Sequence, residues 1–483
     1  MKIIRLLILG LLLSAAVCHG QDDQEAPYGE GWFMAPGPAT APLDFDLNGV
    51  HPLSSPPAVP DGSSAIAEVI TPEIAALARG LENDPKRIFD YVHDHIRYVH
   101  YFGSHKGAEL TLLERSGNDF DQCALLVALL RAAGFTNSVN NPTYQFGVVS
   151  VPYSATNHQD YQHWVGTTLT NADWGTTLAL ARRINAQRGF PFPYSDYTGY
   201  TNLLLIQHVW VQFTNCALDP SFKVSEPVAG INLDTAMSLN TTNLLSASGG
   251  TSNIDYVQGL SEFSVRSNLQ SCATALQGTL QSSYPNASVQ QIAGGWQVVS
   301  SAAQPLNQAT AFTIQNPNGQ WPVSQWTYLP TNLMGVLKVS FLTATNIFYT
   351  PSLGGDRLSL TFSTGGLAQL WQQDNQVGSS IQTPGTTNSV SVTLGFQHPY
   401  GTWDLGADNL VRGNAWDQSF PAACQSTNSS YVLLYAFEAA PAWLTARQRQ
   451  LDAYRQQGWG DTSRQVQTET LNVMGLNCWC KRR

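Results

Sequence analysis

An uninterrupted apolar run in the first third of the chain constrains the fold more than any other feature. Residues 124–130 (ALLVALL) contain no polar side chain, and Gly134 follows shortly after them. In a helix this run is apolar on every side, and a helix of that kind is buried instead of lying at a surface. The sequence therefore predicts a central helix over residues 121–133, ended by Gly134 and covered by other elements.

Cys123 lies in the first turn of this predicted helix and is a candidate nucleophile. Asn118, Asp119 and Asp121 precede it, and all three are residue types that cap helix N-termini. The free N–H groups and the partial positive charge of a helix N-terminus lower the pKa of a thiol. The same N–H groups can stabilise a tetrahedral oxyanion. A cysteine in a buried helix also serves as a small apolar residue. The assignment of Cys123 as a nucleophile therefore requires a second, independent sequence feature.

A strand pattern later in the chain provides a candidate base and a carboxylate. Residues 207–213 (QHVWVQF) alternate, which places His208 and position 210 on one face. If residues 214–215 form a two-residue hairpin turn, position 210 pairs with Asp219, which is then one diagonal step from His208. Neighbours of this kind are about 5.5–8 Å apart, close enough for a carboxylate to hold an imidazole. The sequence predicts a coupled His–Asp pair that depends on this turn.

These features come in the chain order Cys, His, Asp, and three segments resemble those of the bacterial transglutaminase-like superfamily. Residues 119–135 (DFDQCALLVALLRAAGF) are similar to its nucleophile helix. Residues 208–211 (HVWV) are similar to its histidine strand, and residues 217–221 (ALDPS) to its Asp-Pro strand. The chain departs from the family pattern immediately before the cysteine, where many relatives have an acidic residue and this chain has Gln122.

The resemblance implies an α+β fold with a papain-like core. In that core the buried cysteine helix packs on an antiparallel sheet or small barrel that carries the histidine and the aspartate. It implies a catalytic triad of Cys123, His208 and Asp219. Cys123 would attack a glutaminyl or peptide carbonyl and form a thioester, His208 would move the proton, and Asp219 would orient the imidazole. Tyr101 and Trp210 are candidates for the second oxyanion donor.

Cysteine-dependent acyl transfer on protein or peptide amides is the function that this resemblance implies. Water as the acceptor would give hydrolysis, as in a cysteine protease, and an amine acceptor would give cross-linking by an acyltransferase. No phosphate-binding loop, Gly-x-Ser-x-Gly elbow or acidic calcium loop occurs in the sequence, so we expect no cofactor and no metal.

A secreted binding or scaffold protein is the alternative, in which the transglutaminase-like fold is inert. Its β domain would then bind a protein or a glycan. Aromatic residues of that domain are candidates for a binding surface or for core packing: Trp321, Trp326, Tyr328, Trp371, Tyr400, Trp403 and Trp416. The thiol of Cys123 separates the two hypotheses, because a working triad requires a depressed thiol pKa.

Composition changes divide the 483 residues into successive regions. In chain order we predict a signal peptide (1–20), a Pro-rich linker (21–65), the transglutaminase-like domain (66–232), a helical connector (233–303), a mostly β domain (304–440) and a C-terminal helical segment (441–483).

Local patterns predict individual helices and strands within these regions. Helices should begin at Thr71-Pro72 and at Asp84-Pro85, where a capping residue precedes a proline at the first helical position. The remaining predictions are strands at 96–102, 144–151, 203–213 and 217–222, a helix near 172–188, β runs at 311–314, 337–341, 357–362 and 390–394, and helices within 233–285 and 441–475.

The N-terminal residues have the layout of a secretory signal peptide. Lys2 and Arg5 precede an apolar run at residues 6–17, and Asp22 follows the cleavage position expected after Gly20. We therefore expect the mature protein to be exported, either periplasmic or secreted. No later segment reaches about 18 consecutive apolar residues, so the sequence predicts no membrane span.

The low charge of the chain narrows the classes of partner. The net charge is −10, and 12% of the residues are charged, against about 25% in an average protein. An acidic chain without a basic stripe does not suit nucleic acid or an anionic membrane surface. The expected partner is therefore a protein or peptide substrate.

Other histidines and cysteines receive structural interpretations. His93 and His95 are two residues apart on a predicted helix and point to different faces, which favours a solvated helix end over a metal site. His158 and His163 are expected in a polar surface loop.

Cys123 is expected to be a free thiol, so the other mature cysteines cannot all pair within one chain: Cys216, Cys272, Cys424, Cys478 and Cys480. The last two are predicted to lie in a loose tail.

Overall fold

The computed structural model describes residues 65–153, 160–165, 203–252, 257–300, 313–315, 323–363, 366–384, 389–397, 415–423, 429–433 and 441–481. These residues form two compact units, one of residues 225–298 and one of the described residues on either side of that range. The predicted signal peptide, the predicted linker up to residue 64 and the helix predicted near 172–188 lie outside the described residues.

The helices of the described residues are numbered in chain order. They are α1 (Pro72–Gly80), α2 (Pro85–His95), α3 (Gly107–Glu114), α4 (Asp119–Ala132), α5 (Tyr161–Val165), α6 (Leu233–Ala236), α7 (Thr241–Ala247), α8 (Glu262–Ser283), α9 (Val289–Ala293), α10 (Pro441–Gln456) and α11 (Arg464–Lys481).

The strands are numbered in the same way. They are β1 (Arg97–Tyr98), β2 (Ser116–Gly117), β3 (Thr143–Pro152), β4 (Leu203–Phe213), β5 (Cys216–Leu218), β6 (Ser225–Val228), β7 (Thr251–Ser252), β8 (Val257–Gln258), β9 (Gly295–Val298), β10 (Thr313–Gln315), β11 (Ser324–Trp326), β12 (Val336–Phe341), β13 (Ala344–Tyr349), β14 (Leu358–Phe362), β15 (Leu367–Gln372), β16 (Asn375–Gln382), β17 (Ser389–Gln397), β18 (Ala415–Ala423) and β19 (Ser429–Leu433).

Helix α4 is the centre of the larger unit, as the apolar run predicts. It begins at Asp119 because the side chain of Asn118 caps it, accepting a hydrogen bond from the backbone N–H of Asp121 at 2.9 Å. Every residue from Asp119 to Leu130 is buried, and α1, α2, α3 and β4 pack around the helix. Gly134 lies just beyond its end with φ +97°, a conformation that favours glycine.

Helices α1 and α2 begin where the sequence predicts. The side chain of Thr71 caps α1, and the side chain of Asp84 caps α2 by accepting a hydrogen bond from Arg87 N at 2.9 Å. A proline follows each cap, at the position where its missing N–H costs nothing. The buried faces of both helices join α4 in one hydrophobic core.

An antiparallel sheet lies against α4 and carries the predicted histidine strand. Its strand order is β10-β3-β4-β5, and β11 also pairs with β3. Strands β10 and β11 come from beyond residue 304, in the range that the sequence assigns to the β domain, and yet they extend this earlier sheet. A pairing between such distant segments has no local signal, because strand partners are selected by tertiary packing. Helices and an antiparallel sheet confirm the predicted α+β class; the papain-like core and the domain limits stay predictions.

Two predicted strands are shorter in the structure. Strand β1 covers residues 97–98 of the predicted 96–102, and β5 ends at Leu218 instead of residue 222. At the end of β5 the carboxylate of Asp219 accepts hydrogen bonds from the backbone N–H groups of Ser221 and Phe222. This local bonding turns the chain, and Pro220 has no N–H to donate to a sheet.

A β sandwich follows in the larger unit. Its sheets have the orders β13-β12-β17-β18 and β16-β15-β14-β19. Val339 and Val392 of the first sheet and Leu360 and Leu370 of the second belong to one core cluster. The β runs predicted at 337–341 and 390–394 lie within β12 and β17, and the run predicted at 357–362 forms β14 apart from its first residue.

The C-terminal helices α10 and α11 pack on each other, and α11 packs on β19. Glu469 of α11 is buried and forms ion pairs with Arg357, which precedes β14, and with Arg447 of α10. These contacts attach the helices to the sandwich. The backbone at Cys478 and Cys480 is helical, which corrects the predicted loose tail.

The smaller unit contains the elements from β6 to β9. Strand β6 pairs with β9 and β7 pairs with β8, while α8 packs on α6 and α7. Its core cluster includes Ala236, Met237 and Leu276. The helices predicted within 233–285 are present, but the β7–β8 pair interrupts them.

Within the described part of the chain, each helix is too short or too polar to cross a lipid bilayer.

Lys223 joins the segment after β5 to the end of α2, and its removal should destabilise the fold. Its buried ammonium donates to the backbone carbonyls of Val92 (3.0 Å), His93 (2.6 Å) and Ile96. Lys223→Ala leaves these carbonyls without that donor, and we expect the free energy of unfolding to fall by about 3 kcal/mol or more. Denaturant unfolding measures this change.

Lys86→Ala is the matched control. Lys86 forms a partly exposed ion pair with Asp90 on the same helix, and such pairs contribute below about 1 kcal/mol. Equal losses for the two variants would contradict the role given to Lys223.

Candidate functional site

The start of α4 is fixed to the loop that precedes it. The amide of Asn118 donates to the carbonyl of Tyr101 at 2.7 Å. The carboxylate of Asp121 accepts hydrogen bonds from Ser104 Oγ (2.7 Å) and from Gly107 N (2.9 Å). The hydroxyl of Tyr101 also donates to Asp121. The hydroxyl of Tyr101, a predicted oxyanion donor, is therefore bonded to Asp121 near the start of the helix.

The β4–β5 hairpin has the predicted two-residue turn. Phe213 pairs with Cys216, and Thr214 between them has φ +51°. In this register Asp219 comes beside His208, and its Oδ2 lies 2.7 Å from His208 Nε2. The coupled His–Asp pair that the register predicts is present.

Asp219 is held by hydrogen bonds that its own segment provides. Its Oδ1 accepts from the backbone N–H of Ser221 at 2.9 Å and from the Ser221 hydroxyl at 2.8 Å. Burial alone would raise the pKa of Asp219, but the positive charge of His208 and the Ser221 hydrogen bonds lower it below its ordinary value. The carboxylate is therefore ionised and fixed in place.

The other ring nitrogen of His208 faces a second carboxylate. His208 Nδ1 lies 2.9 Å from Oδ2 of Asp119, the first residue of α4. The same oxygen accepts a hydrogen bond from the backbone N–H of Val209 at 3.2 Å. The imidazole thus lies between two buried carboxylates, one on the helix and one after β5.

This arrangement keeps the imidazole protonated. Burial disfavours the charged ring, but Asp219 and Asp119 outweigh that effect and raise the pKa of His208 to about 10. A ring that is positively charged near neutral pH has no lone pair with which to accept a proton. His208 is therefore an imidazolium, not a ready base.

Cys123 lies one helical turn beyond Asp119 on α4. Its thiol is fully buried, and it donates a hydrogen bond to the carbonyl of Val209 with a sulfur–oxygen distance of 3.6 Å. Burial raises the pKa of this thiol well above its ordinary value, and the charges of Asp219 and Asp119 raise it further. The expectation that the helix lowers this pKa, and that His208 takes the thiol proton, does not fit these contacts. The catalytic roles assigned to Cys123, His208 and Asp219 stay predictions.

Asp119 is the site residue that sequence reasoning missed. The sequence pattern offers Asp119 only as a possible cap, whereas Asn118 caps the helix and Asp119 is its first residue. A signal was available, because Asp119 and Cys123 are one turn apart and share a face of α4. The sequence could not tell which of the two reaches the histidine strand.

Aromatic side chains cover the imidazole. The ring of Trp164, from α5, meets the His208 ring edge to face at 5.3 Å and stacks on Tyr98 at 4.8 Å. Its indole N–H donates to the carbonyl of Ser221 at 2.9 Å. The side chain of His208 is buried, with 1% of its surface exposed.

The remaining candidate residues are placed as follows. His163 lies on α5, half-buried and 2.7 Å from Asp160, which corrects the surface-loop expectation; His158 lies outside the described residues. His93 is buried beside Asp94, whereas His95 is exposed as predicted. Within the described residues no group of His, Cys, Asp and Glu has an arrangement that could hold a metal ion.

Comparison with known proteins identifies part of this region. Residues 70–175 match the family model of the transglutaminase-like superfamily. This segment is a transglutaminase-like domain. No curated protein and no solved structure matches the chain. The match includes α4 with Asp119 and Cys123, while His208 and Asp219 come later in the chain.

In this site the histidine and its aspartate are paired, but the helix presents a carboxylate to them. The thiol is present one turn away, with a different partner. This geometry is well suited to stabilising the contact between α4 and β4, and it is less suited to thiol chemistry.

The pKa of His208 predicts a pH dependence of stability. Because the folded-state pKa is raised from 6.5 to about 10, the stabilisation is fully present below about pH 6.5 and is lost as the pH rises through about 10. His208→Gln removes the positive charge between two buried carboxylates, and we expect a loss of about 3–5 kcal/mol at pH 6.5. Denaturant unfolding from pH 6 to 10.5 should show this loss shrinking toward high pH.

His95→Gln, at an exposed position on α2, is the control and should show little change at any pH. A loss for His208→Gln that is constant across the whole pH range would argue against a buried imidazolium.

Proposed function

We propose that this chain is an exported binding or scaffold protein whose transglutaminase-like domain does not act through a thiol. The observation that carries the proposal is the placement of the His208 ring between Asp119 and Asp219. A Cys-His-Asp mechanism requires one imidazole nitrogen to face the sulfur. Both nitrogens lie within 3 Å of carboxylate oxygens instead.

The state of Cys123 supports the same conclusion. A reactive cysteine is partly exposed and lies in electropositive surroundings that lower its pKa. Cys123 is fully buried and donates to a backbone carbonyl, and its burial together with the carboxylates of Asp219 and Asp119 raises its pKa. These are the surroundings of a small core residue.

Binding is assigned to the β sandwich, because the side chains of Cys123 and His208 are buried. The described aromatic residues do not form an open platform. Trp326 is buried, Tyr328 lies under Arg131, and Trp371 lies under Arg464. The long strand β16 presents exposed amide and hydroxyl side chains instead. Uncharged hydrogen-bonding groups of this kind suit a polar protein surface or a glycan.

Export is part of this proposal and rests on the N-terminal sequence. Lys2 and Arg5 followed by the apolar run at 6–17 have the signal-peptide layout. The signal-peptide layout is the support for this part of the proposal.

Cysteine-dependent acyl transfer is the second candidate, favoured by the family match and by the His208–Asp219 pair. It would require the thiol of Cys123 to leave the Val209 carbonyl and replace Asp119 beside His208. The buried site would also have to admit a protein or peptide amide. Hydrolysis and amine transfer would then differ in the acceptor that enters.

Alkylation of the mature protein tests the two candidates directly. We expect Cys123 to resist iodoacetamide from pH 5 to 9, because a buried thiol with a raised pKa supplies little thiolate. Mapping by mass spectrometry distinguishes it from Cys216 and Cys272, which are partly exposed and provide internal references. His208→Ala should not reduce labelling of Cys123 further.

Rapid labelling of Cys123 below neutral pH that is lost in His208→Ala would overturn the proposal and favour acyl transfer. Incorporation of a fluorescent amine into a glutamine-containing protein, and cleavage of peptide amides, would then identify the acceptor.

A further inference from the structure

Asp119 occupies a position with the properties that a nucleophile needs. It is the first residue of α4, where the helix N-terminus places free N–H groups and partial positive charge. Its Oδ2 lies 2.9 Å from His208 Nδ1, while Oδ2 of Asp219 lies 2.7 Å from His208 Nε2 on the other side of the ring. A carboxylate on one imidazole nitrogen and a reacting group on the other is the geometry of a nucleophile–histidine–acid site.

A second observation indicates that this position is not adapted to a carboxylate. Asp119 Oδ1 is buried and has no hydrogen-bond partner among the described residues. A buried acceptor without a partner has lost its hydrogen bonds to water and gained none in the protein, which is unfavourable. By contrast, the second carboxylate oxygen of Asp219, Oδ1, accepts hydrogen bonds from the backbone N–H and the hydroxyl of Ser221. A side chain with one polar atom fits position 119 better than the two oxygens of aspartate.

We infer that position 119, not position 123, is the nucleophile position of this site, and that Asp119 blocks thiol chemistry there by pairing with His208. This inference rests on the proposed function, in which the native chain is not a thiol enzyme. It goes further because it says what blocks the site and which single side chain would restore an imidazolium–thiolate pair.

A thiol at position 119 would have suitable neighbours. The cysteine side chain is one atom shorter than that of aspartate, but sulfur makes hydrogen bonds at longer distances than oxygen. The backbone N–H of Val209, which now donates to Asp119 Oδ2 at 3.2 Å, would be available to a thiolate. The thiol proton would move to His208 Nδ1, giving a thiolate and an imidazolium whose other N–H stays on Asp219.

The test is Asp119→Cys in a Cys123→Ala background, so that the native thiol of α4 cannot contribute. Asp119→Ser in the same background is the matched control, since it lacks only the new sulfur. Thiolate absorbance near 240 nm is recorded from pH 3 to 10, and the control curve is subtracted. This readout needs no reagent to enter the buried site.

We expect the new thiol to titrate at least two pH units below the ordinary cysteine value of about 8.5. Addition of His208→Gln should remove this shift, because the thiolate then has no imidazolium beside it. A thiol that titrates at or above about 8.5, or whose titration is the same with His208→Gln, would overturn the inference.

Folding is checked by circular dichroism and by cooperative thermal unfolding. If Asp119→Cys does not fold, Asp119→Asn shows whether a side chain of the same shape without charge is tolerated. Failure of the Cys, Ser and Asn variants together would mean that position 119 requires a carboxylate, and the inference would be wrong.

Labelling of the native Cys123 and titration of the thiol at position 119 test different claims, so one claim can be overturned without the other. Reactive Cys123 in the native chain overturns the proposed function, whereas an ordinary thiol at position 119 overturns only the assignment of the nucleophile position.

Discussion

The contact on which the site depends is the buried imidazolium of His208 between Asp119 and Asp219. It joins the first residue of α4, the middle of β4 and the segment after β5, which come from distant parts of the sequence. Burying three charges together is costly, and their mutual attraction offsets this cost only when the geometry is good and the remaining polar atoms are bonded. Ser221 and the Val209 N–H provide most of those bonds. Loss of the central charge would leave two carboxylates facing each other in the core.

The same contact determines what the site can do chemically. Each carboxylate that stabilises the imidazolium raises the pKa of His208, so the ring is already protonated near neutral pH and has no lone pair for the thiol proton. The same carboxylates make the nearby thiol of Cys123 harder to ionise. The charge interactions that stabilise the fold at this site therefore disfavour thiol chemistry there. Trp164 adds to the effect, because its ring excludes water from His208 and so strengthens the ion pairs beneath it.

The sequence was informative where local rules decide the structure. The apolar run predicted α4, and the turn at Thr214 predicted the register that brings Asp219 beside His208, because a two-residue hairpin has a defined pairing. It was uninformative where tertiary packing decides. Asp119 and Cys123 share one face of α4, and the angle and depth at which the helix meets β4 select between them. The addition of β10 and β11 to the sheet is likewise a long-range pairing without a local pattern.

The position of the thiol within α4 shows why order and spacing of motifs support a fold more firmly than an activity. One helical turn advances the chain by about 5.4 Å, which is enough to exchange an imidazole partner for a backbone carbonyl. Cys123 preserves the order Cys, His, Asp in the sequence and stays within the helix that the family match covers. It nevertheless lies among the apolar residues of that helix. A nucleophile is defined by what its atom faces, and at this site the atom that faces the histidine is an oxygen of Asp119.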